Sequence, residues 1–372
     1  MRYHRLFATL LFIVPFLLSA CGSNIPTPPP AADQTPVATD EDHLTPIDLP
    51  VGYGARGPWF EVYFTDPTNP ISKQGTGGID GPLVDAIDAA RLSIDVAAYS
   101  ISLNSVRNAL IRAHDRGVTV RVVMESENMD RSDPQRMVEA GITIIGDNRD
   151  GLMHNKFVVI DRSEIWTGSM NFTDSGTYDD NNNMFRIRSS KMAENYIKEF
   201  EEMFNDDLFG PDIAAQTPHP FLTIEGTDVG TYYSPDDGVL STLLPILQGA
   251  EESIHFLTFS FTSNELGDAV RAKEEEGIIV RGVMDEEQIN SNQGTEFDPL
   301  RQAGVDVLID GIDGQMHHKV FIIDEKIVVL GSYNFSQNAE TRNDENVLIV
   351  YSEQLADEYM KEFRRVYAEA HD

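Results

Sequence analysis

The chain is poor in cysteine and in positive charge. Its 372 residues hold one cysteine, Cys21, which excludes an intramolecular disulfide framework. Lys and Arg number 28 against 61 Asp and Glu, a formal net charge of −33. That balance argues against a broad electrostatic grip on nucleic acid or on an anionic bilayer, and leaves room only for a small basic site set into an acidic body. The acidic stretches "TYDDNNN", "SPDDG" and "DGIDGQ" lack the spacing of an EF-hand loop, so they read as polar loops, some of them rimming a cleft. The apolar stretch Leu6 to Leu18 is short for a membrane span. The length is enough for two domains, each able to bury its own core.

The N-terminus has the layout of a secretory signal over residues 1–20: Arg2 and Arg5, then the apolar stretch, then "LSAC". It resembles a bacterial lipoprotein signal, which implies cleavage before Cys21 and lipidation of that thiol. The implied location is the bacterial cell envelope, on the extracytoplasmic side of a membrane. Residues 21–50 are rich in Pro, Thr and Asp without apolar periodicity, and read as a tether between the lipid and the folded part.

The remainder is written twice. "HNKFVVIDRSEIWTGSMNF" from His154 returns without a gap as "HHKVFIIDEKIVVLGSYNF" from His317. The strand pattern "LSIDVAAYS" from Leu92 corresponds to "SIHFLTFSF" around Ile254. "NSVRNALIRAHDRGVTVRVVME" from Asn104 corresponds to "NELGDAVRAKEEEGIIVRGVMD" from Asn264. The offset is 160 residues up to Met124 and Met284 and 163 from Gly141 and Gly304 onward, which leaves three extra residues in a loop of the second half. Each half reads strand, helix, strand, helix, strand, loop, then two further strands and a closing helix that begins near Met192 or Gln354. "WFEVYF" from Trp59 and "GTYY" from Gly230 read as equivalent opening strands. The expected fold is α/β: two similar halves related by a pseudo-twofold, each a mixed sheet flanked by helices. The halves are placed at residues 55–210 and 221–372, with the boundary in the Pro- and Gly-bearing segment Phe209 to Pro220.

Each copy offers the same chemistry. Residues two apart on a strand share a face, so His154 and Lys156 point together, as do His317 and Lys319. A Gly-Ser-x-Asn turn follows in each, bringing Ser169 and Asn171, or Ser332 and Asn334, with Gly168 and Gly331 expected to let backbone approach a ligand. A fixed positive charge with amide and hydroxyl donors suits a phosphate. One half alone lacks a mechanism, because covalent cleavage of a phosphodiester needs a nucleophile and a separate acid for the leaving oxygen. Two halves facing each other supply both: one imidazole attacks phosphorus, and the other protonates the leaving alcohol and then activates water or another alcohol. Lys156, Lys319, Asn171 and Asn334 would clamp the non-bridging oxygens. The scheme calls for no metal and no cofactor.

Two complete His-x-Lys-x4-Asp motifs mark a resemblance to the phospholipase D superfamily over roughly residues 59–372. The resemblance implies one active site between the halves and a phosphohistidine intermediate. It places the nucleophile at His154 and the general acid/base at His317, and counts Asp161 and Asp324 within the catalytic motifs mostly as structural supports. It also implies an orienting acid or amide 28 residues after each histidine, which lands on Asn182 and Glu345. If Glu345 reaches across the interface it backs His154; if it stays within its own half it backs His317.

Three functions follow as expectations. The first is hydrolysis or transfer of phospholipid head groups by an envelope enzyme held at its substrate by a lipid anchor. The second is an endonuclease of the same superfamily, disfavoured by the charge. The third is a phosphate-binding lipoprotein without turnover. One chain carries both motifs, so a monomer suffices.

Overall fold

The runs Lys156–Ile160 and Lys319–Ile323 are strands with every residue buried, as continuous apolar patterning requires of a strand covered on both faces. Each lies well inside a mixed sheet. The computed structural model describes residues 44–211 and 214–372. The expected signal, Cys21 and the tether as far as residue 43 lie outside the described residues.

The first half opens with β1 (Thr45–Asp48), β2 (Tyr53–Arg56) and β3 (Phe60–Phe64), then α1 (Asp80–Ala89), β4 (Ser93–Ala98), α2 (Asn104–Asp115) and β5 (Thr119–Met124). It continues with α3 (Ser132–Glu139), β6 (Thr143–Gly146), β7 (Lys156–Ile160), β8 (Glu164–Gly168), α4 (Asp174–Tyr178), β9 (Asn183–Arg188) and α5 (Ser190–Asp206). The second half runs β10 (Phe221–Ile224), β11 (Thr227–Ser234), α6 (Val239–Gln248), β12 (Ser253–Thr258), α7 (Asn264–Glu275) and β13 (Ile279–Met284). After it come α8 (Glu286–Ser291), α9 (Phe297–Gln302), β14 (Asp306–Ile309), β15 (Lys319–Ile323), β16 (Ile327–Gly331), α10 (Gln337–Thr341), β17 (Glu345–Tyr351) and α11 (Glu353–Glu369).

Apart from the extra edge strand β1, the sheet orders match: β1-β2-β3-β9-β8-β7-β4-β5-β6 in one half and β10-β11-β17-β16-β15-β12-β13-β14 in the other. The β4–β5–β6 and β12–β13–β14 pairings are parallel and the rest antiparallel. Local signals explain the breaks. α2 and α7 end before Gly117 and Gly277, whose φ values of +89° and +86° suit glycine. α5 and α11 begin where Ser189 and Ser352 accept hydrogen bonds from the amides of Met192 and Leu355.

One boundary needs correction. The tether was expected to run to residue 50 and the first half to start at 55, yet Thr45–Asp48 pairs antiparallel with Tyr53–Arg56. This strand is polar and carries Pro46, so it lacks the apolar signal of a core strand; as the sheet's edge it has no second neighbour to need the missing N–H.

The two sheets face each other over α5 and α11, which share one core: Phe157, Tyr196 and Phe200 from the first half with Leu348, Tyr359 and Phe363 from the second. Separate cores lie on the outer faces, beneath α1 and α2 in the first half and beneath α6 and α7 in the second. Fully burying one such aromatic contributes about 1.5–3 kcal/mol, so the shared core fixes the halves in one register. That register brings the C-terminal loops before β7 and β15 together.

Candidate active site

His154 and His317 sit two residues ahead of β7 and β15, in loops fixed from the opposite half. The amide of His154 donates to the carbonyl of Asp344 at 3.0 Å, and the amide of Asp344 donates to Leu152 O at 2.9 Å. The amide of His317 donates to Asn181 O at 2.9 Å, and that of Asn181 to Gln315 O at 2.8 Å. Glycine permits this crossing: a Cβ on Gly151 would lie 2.3 Å from Arg342 O, and one on Gly314 1.9 Å from Asp179 O. Lys156 and Lys319 are in turn registered against Ala98 and Thr258 of the neighbouring strands.

Each imidazole is also backed from across the interface. His154 Nδ1 donates to Glu345 Oε2 at 2.7 Å, and His317 Nδ1 to Asn182 Oδ1 at 2.9 Å. Of the two arrangements open in the sequence, the structure has the crossed one. Acceptors at Nδ1 place the proton there in the neutral ring and leave each Nε2 with a free lone pair. Asn182 is held by the hydroxyl of Ser169, which donates to its Oδ1 at 2.8 Å, and Glu345 is hydrogen-bonded by Ser332. Ser169 and Ser332, expected to supply donors to a phosphate, are therefore fully buried behind the rings, as is Glu345, expected to back a histidine. Gly168 and Gly331 differ from expectation as well. Their close approaches are to the neighbouring strand, where an added Cβ would meet Asn183 O at 2.4 Å and Asn346 O at 2.2 Å.

The lysines face inward and, among the described residues, neither is in an ion pair with a carboxylate. Lys156 Nζ donates to His154 O at 2.8 Å and lies 5.4 Å from the centre of the Tyr99 ring; Lys319 Nζ donates to His317 O at 2.8 Å and lies 4.6 Å from the Phe259 ring centre. The same two aromatic rings pack edgewise on the imidazoles, Tyr99 on His154 and Phe259 on His317. Burial pushes Lys156 down to about 7, and burial with the repulsion of Lys156 holds Lys319 well below the usual lysine range. Burial likewise pushes His154 down to about 4, with Lys156 and Lys319 adding to the shift and Glu345 opposing it. His317 is held well below the usual histidine range by burial, both lysines and His154. Four buried cationic or potentially cationic groups thus act on one another electrostatically, and an anion placed among them would relieve their repulsion. Asn171 and Asn334, which follow β8 and β16, are half-buried, each with a buried Oδ1 that has no hydrogen-bond partner among the described residues.

Asp161 and Asp324 are not brought to this site. They end β7 and β15 at the opposite pole from the lysines, roughly 15 Å away along the strand. The Asp161 carboxylate accepts from the amides of Arg91, Leu92 and Ser93, and Asp324 from those of Glu251, Glu252 and Ser253. Both pin the start of a central strand. Tyr99 and Phe259 were missed in the sequence, although aromatic residues at matching places of a repeat, at the end of equivalent strands, were a usable signal.

A family described as "Cardiolipin synthase, PLD-like domain" matches residues 83–204 and 243–367, once in each half. A mitochondrial cardiolipin hydrolase of Canis lupus familiaris is 38% identical over 130 residues, which is 35% of this chain; the chain spans about half the length of that relative, 51%. A phospholipase D of Rickettsia prowazekii is 29% identical over 162 residues, 44% of this chain and 78% of the relative. Among solved structures, phosphatidylserine synthase of Haemophilus influenzae aligns with a TM-score of 0.63 at 12% identity, covering 80% of this chain and 86% of that one, a likeness of fold.

Proposed function

Because the chain belongs to the phospholipase D-like family, a family of phosphodiesterases, we propose that it cleaves or exchanges the head-group ester of a phospholipid through a covalent intermediate on His154. The observation that carries this reading is the crossed pair of supports, a carboxylate behind His154 and an amide behind His317. A carboxylate stabilises the positive charge that an imidazole acquires when its Nε2 bonds to phosphorus. An amide orients a ring equally well but offers no such charge, which suits a group that only carries a proton.

The substrate phosphate enters between Lys156 and Lys319, with Asn171 and Asn334 at its non-bridging oxygens. Its negative charge offsets the lysines and lets His317 hold a proton. His154 Nε2 attacks phosphorus, the phosphorus–oxygen bond to the alcohol breaks, and His317 Nε2 gives its proton to the departing oxygen. In the second step neutral His317 takes a proton from water, whose oxygen attacks phosphorus and releases His154, leaving a phosphomonoester. An alcohol in place of water gives head-group exchange. Lipidation at Cys21 and residence at the outer face of a bacterial membrane belong to the same proposal, supported by the leader sequence.

The test offers labelled phosphatidylglycerol and phosphatidylethanolamine vesicles and labelled single-stranded DNA in parallel to the wild-type chain and His154→Ala. Head-group release by the wild type alone is the expected result. DNA cleavage without head-group release would overturn the lipid substrate, and equal rates for both proteins would overturn the enzyme.

A further inference from the structure

One arginine occurs at the same place in both halves, with opposite surroundings. In the first half, Arg121 on β5 lies between two carboxylates. Its guanidinium donates to Asp95 at 2.7 and 2.9 Å and to Glu201 at 2.8 Å, and sits 4.9 Å from the centre of the Phe200 ring. Asp95 is its partner in the parallel β4–β5 register, and Glu201 comes from α5. A shift of 160 residues carries Arg121 to Arg281 and Asp95 to His255, which are again partners in the β12–β13 register. A shift of 163 carries Phe200 to Phe363 and Glu201 to Arg364, both on α11. The arginine is kept, and both of its carboxylates are replaced, one by an imidazole and one by a second guanidinium.

His255, Arg281, Phe363 and Arg364 line a cavity of about 430 Å³ between the start of β12 and α11. It lies at the pole away from His317: Ser253, on its wall, donates its amide to Asp324, at the far end of β15 from Lys319. His255 is 5% exposed, its ring packs edgewise on Phe363 with centroids 4.8 Å apart, and its Nδ1 has no hydrogen-bond partner among the described residues. Burial pushes this imidazole down to about 4, and Arg281 and Arg364 add to the shift. The Arg281 side chain is 52% exposed, against 19% for Arg121, and pairs with Asp306 at 3.2 Å. Two carboxylates also stand on the wall, Glu252 and Glu325; both are exposed, and Glu252 is paired with Lys326 at 3.0 Å. Exposed pairs of this kind hold their partners loosely.

We propose that this cavity binds a phosphate group, carried by a soluble phosphate or by the head group of an anionic lipid, between the guanidinium groups of Arg281 and Arg364 and over the imidazole of His255. Two planar forks and a ring N–H meet a tetrahedral oxyanion from several sides, whereas a carboxylate is satisfied by one fork. The first half shows that an arginine at this place pairs with anionic groups at these two neighbouring positions. In the second half the chain supplies cationic or neutral groups at both, which leaves the anion to a ligand. The site is separate from the histidine and lysine pairs of the candidate active site, and its occupancy does not depend on the phosphodiesterase reading.

The test titrates the full chain, labelled with 13C in its histidines, with inorganic phosphate and follows the His255 ring by NMR, its resonance assigned by its loss in His255→Gln. The expected result is a saturable shift of that resonance. Arg364→Glu, which restores the first-half residue, should weaken the response at least about tenfold, the scale of a lost charge-assisted contact. Arg364→Gln, a milder change, should act in the same direction, with thermal melts checking that both variants fold. His154→Ala, which removes the proposed nucleophile, should leave the response as it is. No saturable shift in the wild type, a shift that both Arg364 variants leave intact, or one lost in His154→Ala overturns the proposal. Repeating the titration with monomeric dihexanoyl phosphatidate identifies the source, and both of its outcomes support the site: tighter binding than inorganic phosphate assigns a lipid head group, equal or weaker binding a soluble phosphate.

Discussion

Glu345, in the second half, accepts the Nδ1 proton of His154, in the first, at 2.7 Å. The pseudo-equivalent contact, Asn182 on His317, has the same direction and nearly the same length without the charge. A duplicated chain has thus made its two histidines different by one residue in each half. Replacing Glu345 by Gln keeps a hydrogen bond to the ring and removes the charge that stabilises the phosphorylated imidazole. We expect kcat to fall roughly 10²–10⁴-fold with KM changed far less, by analogy with loss of the carboxylate in a catalytic triad. Steady-state kinetics beside a thermal melt checks this. A fall carried by KM alone would place Glu345 in binding instead.

The depressed lysines predict a proton linkage. In the free protein Lys156 loses its proton near pH 7, while a bound phosphate raises the pKa of both lysines. Binding of a phosphodiester above pH 7 should therefore take up protons, and kcat/KM should decline as pH rises through about 7 while kcat holds to higher pH. Titration of a non-hydrolysable phosphonate in buffers of different ionisation enthalpy measures the uptake directly. Zero uptake at pH 8 would contradict the assignment.

Much of this arrangement was legible in the sequence. The repeat, its 163-residue offset, the central strands and the closing helices are all carried by strong apolar periodicity, which local physics dictates. Direction was harder to read. Ser169 and Ser332 follow a tight Gly turn, and sequence cannot say whether a hydroxyl there faces the cleft or the residue behind the histidine. Glu345 crosses between halves because the loops carrying Asp344 and Leu152 pair backbone to backbone, a contact with no side-chain signature. The edge strand Thr45–Asp48 was hidden by its polarity.

Two buried glutamates at equivalent places should respond oppositely to the same change. Glu362 receives His318, Arg365 and Tyr53, and although burial would raise it, Arg365 and His318 hold it at about 2. Glu199 has the amide of Asn155 at 3.3 Å, and burial together with Asp236 and other carboxylates holds it well above the usual range. At pH 7 Glu362→Gln should cost about 3–5 kcal/mol, since it strands buried cations. Glu199→Gln should stabilise, because the wild-type group must take up a proton to fold. The sign check separates them by pH. The Glu362 contribution is complete above its unfolded value and disappears as pH falls toward 2, whereas the Glu199→Gln gain vanishes below about pH 4, where that carboxyl is protonated in both states. Urea unfolding across this range reads both.

Asp161 and Asp324 should act through stability. Each satisfies three backbone amides at the start of a central strand, so Asp161→Ala or Asp324→Ala is expected to cost about 1–3 kcal/mol. The remaining folded protein should keep most of its kcat. A loss of kcat as deep as that of His154→Ala, at unchanged stability, would contradict their position at the far end of the strands.

The most direct measurement traps the intermediate. The chain carrying His317→Asn is mixed with a 32P-labelled phosphodiester whose leaving group, 4-nitrophenol, departs without an acid, then quenched in base and mapped by peptide. The account predicts a base-stable, acid-labile label on His154, formed in a burst and released slowly because no group remains to activate water. Label on another residue, or a burst of nitrophenol with no covalent label at all, would contradict it.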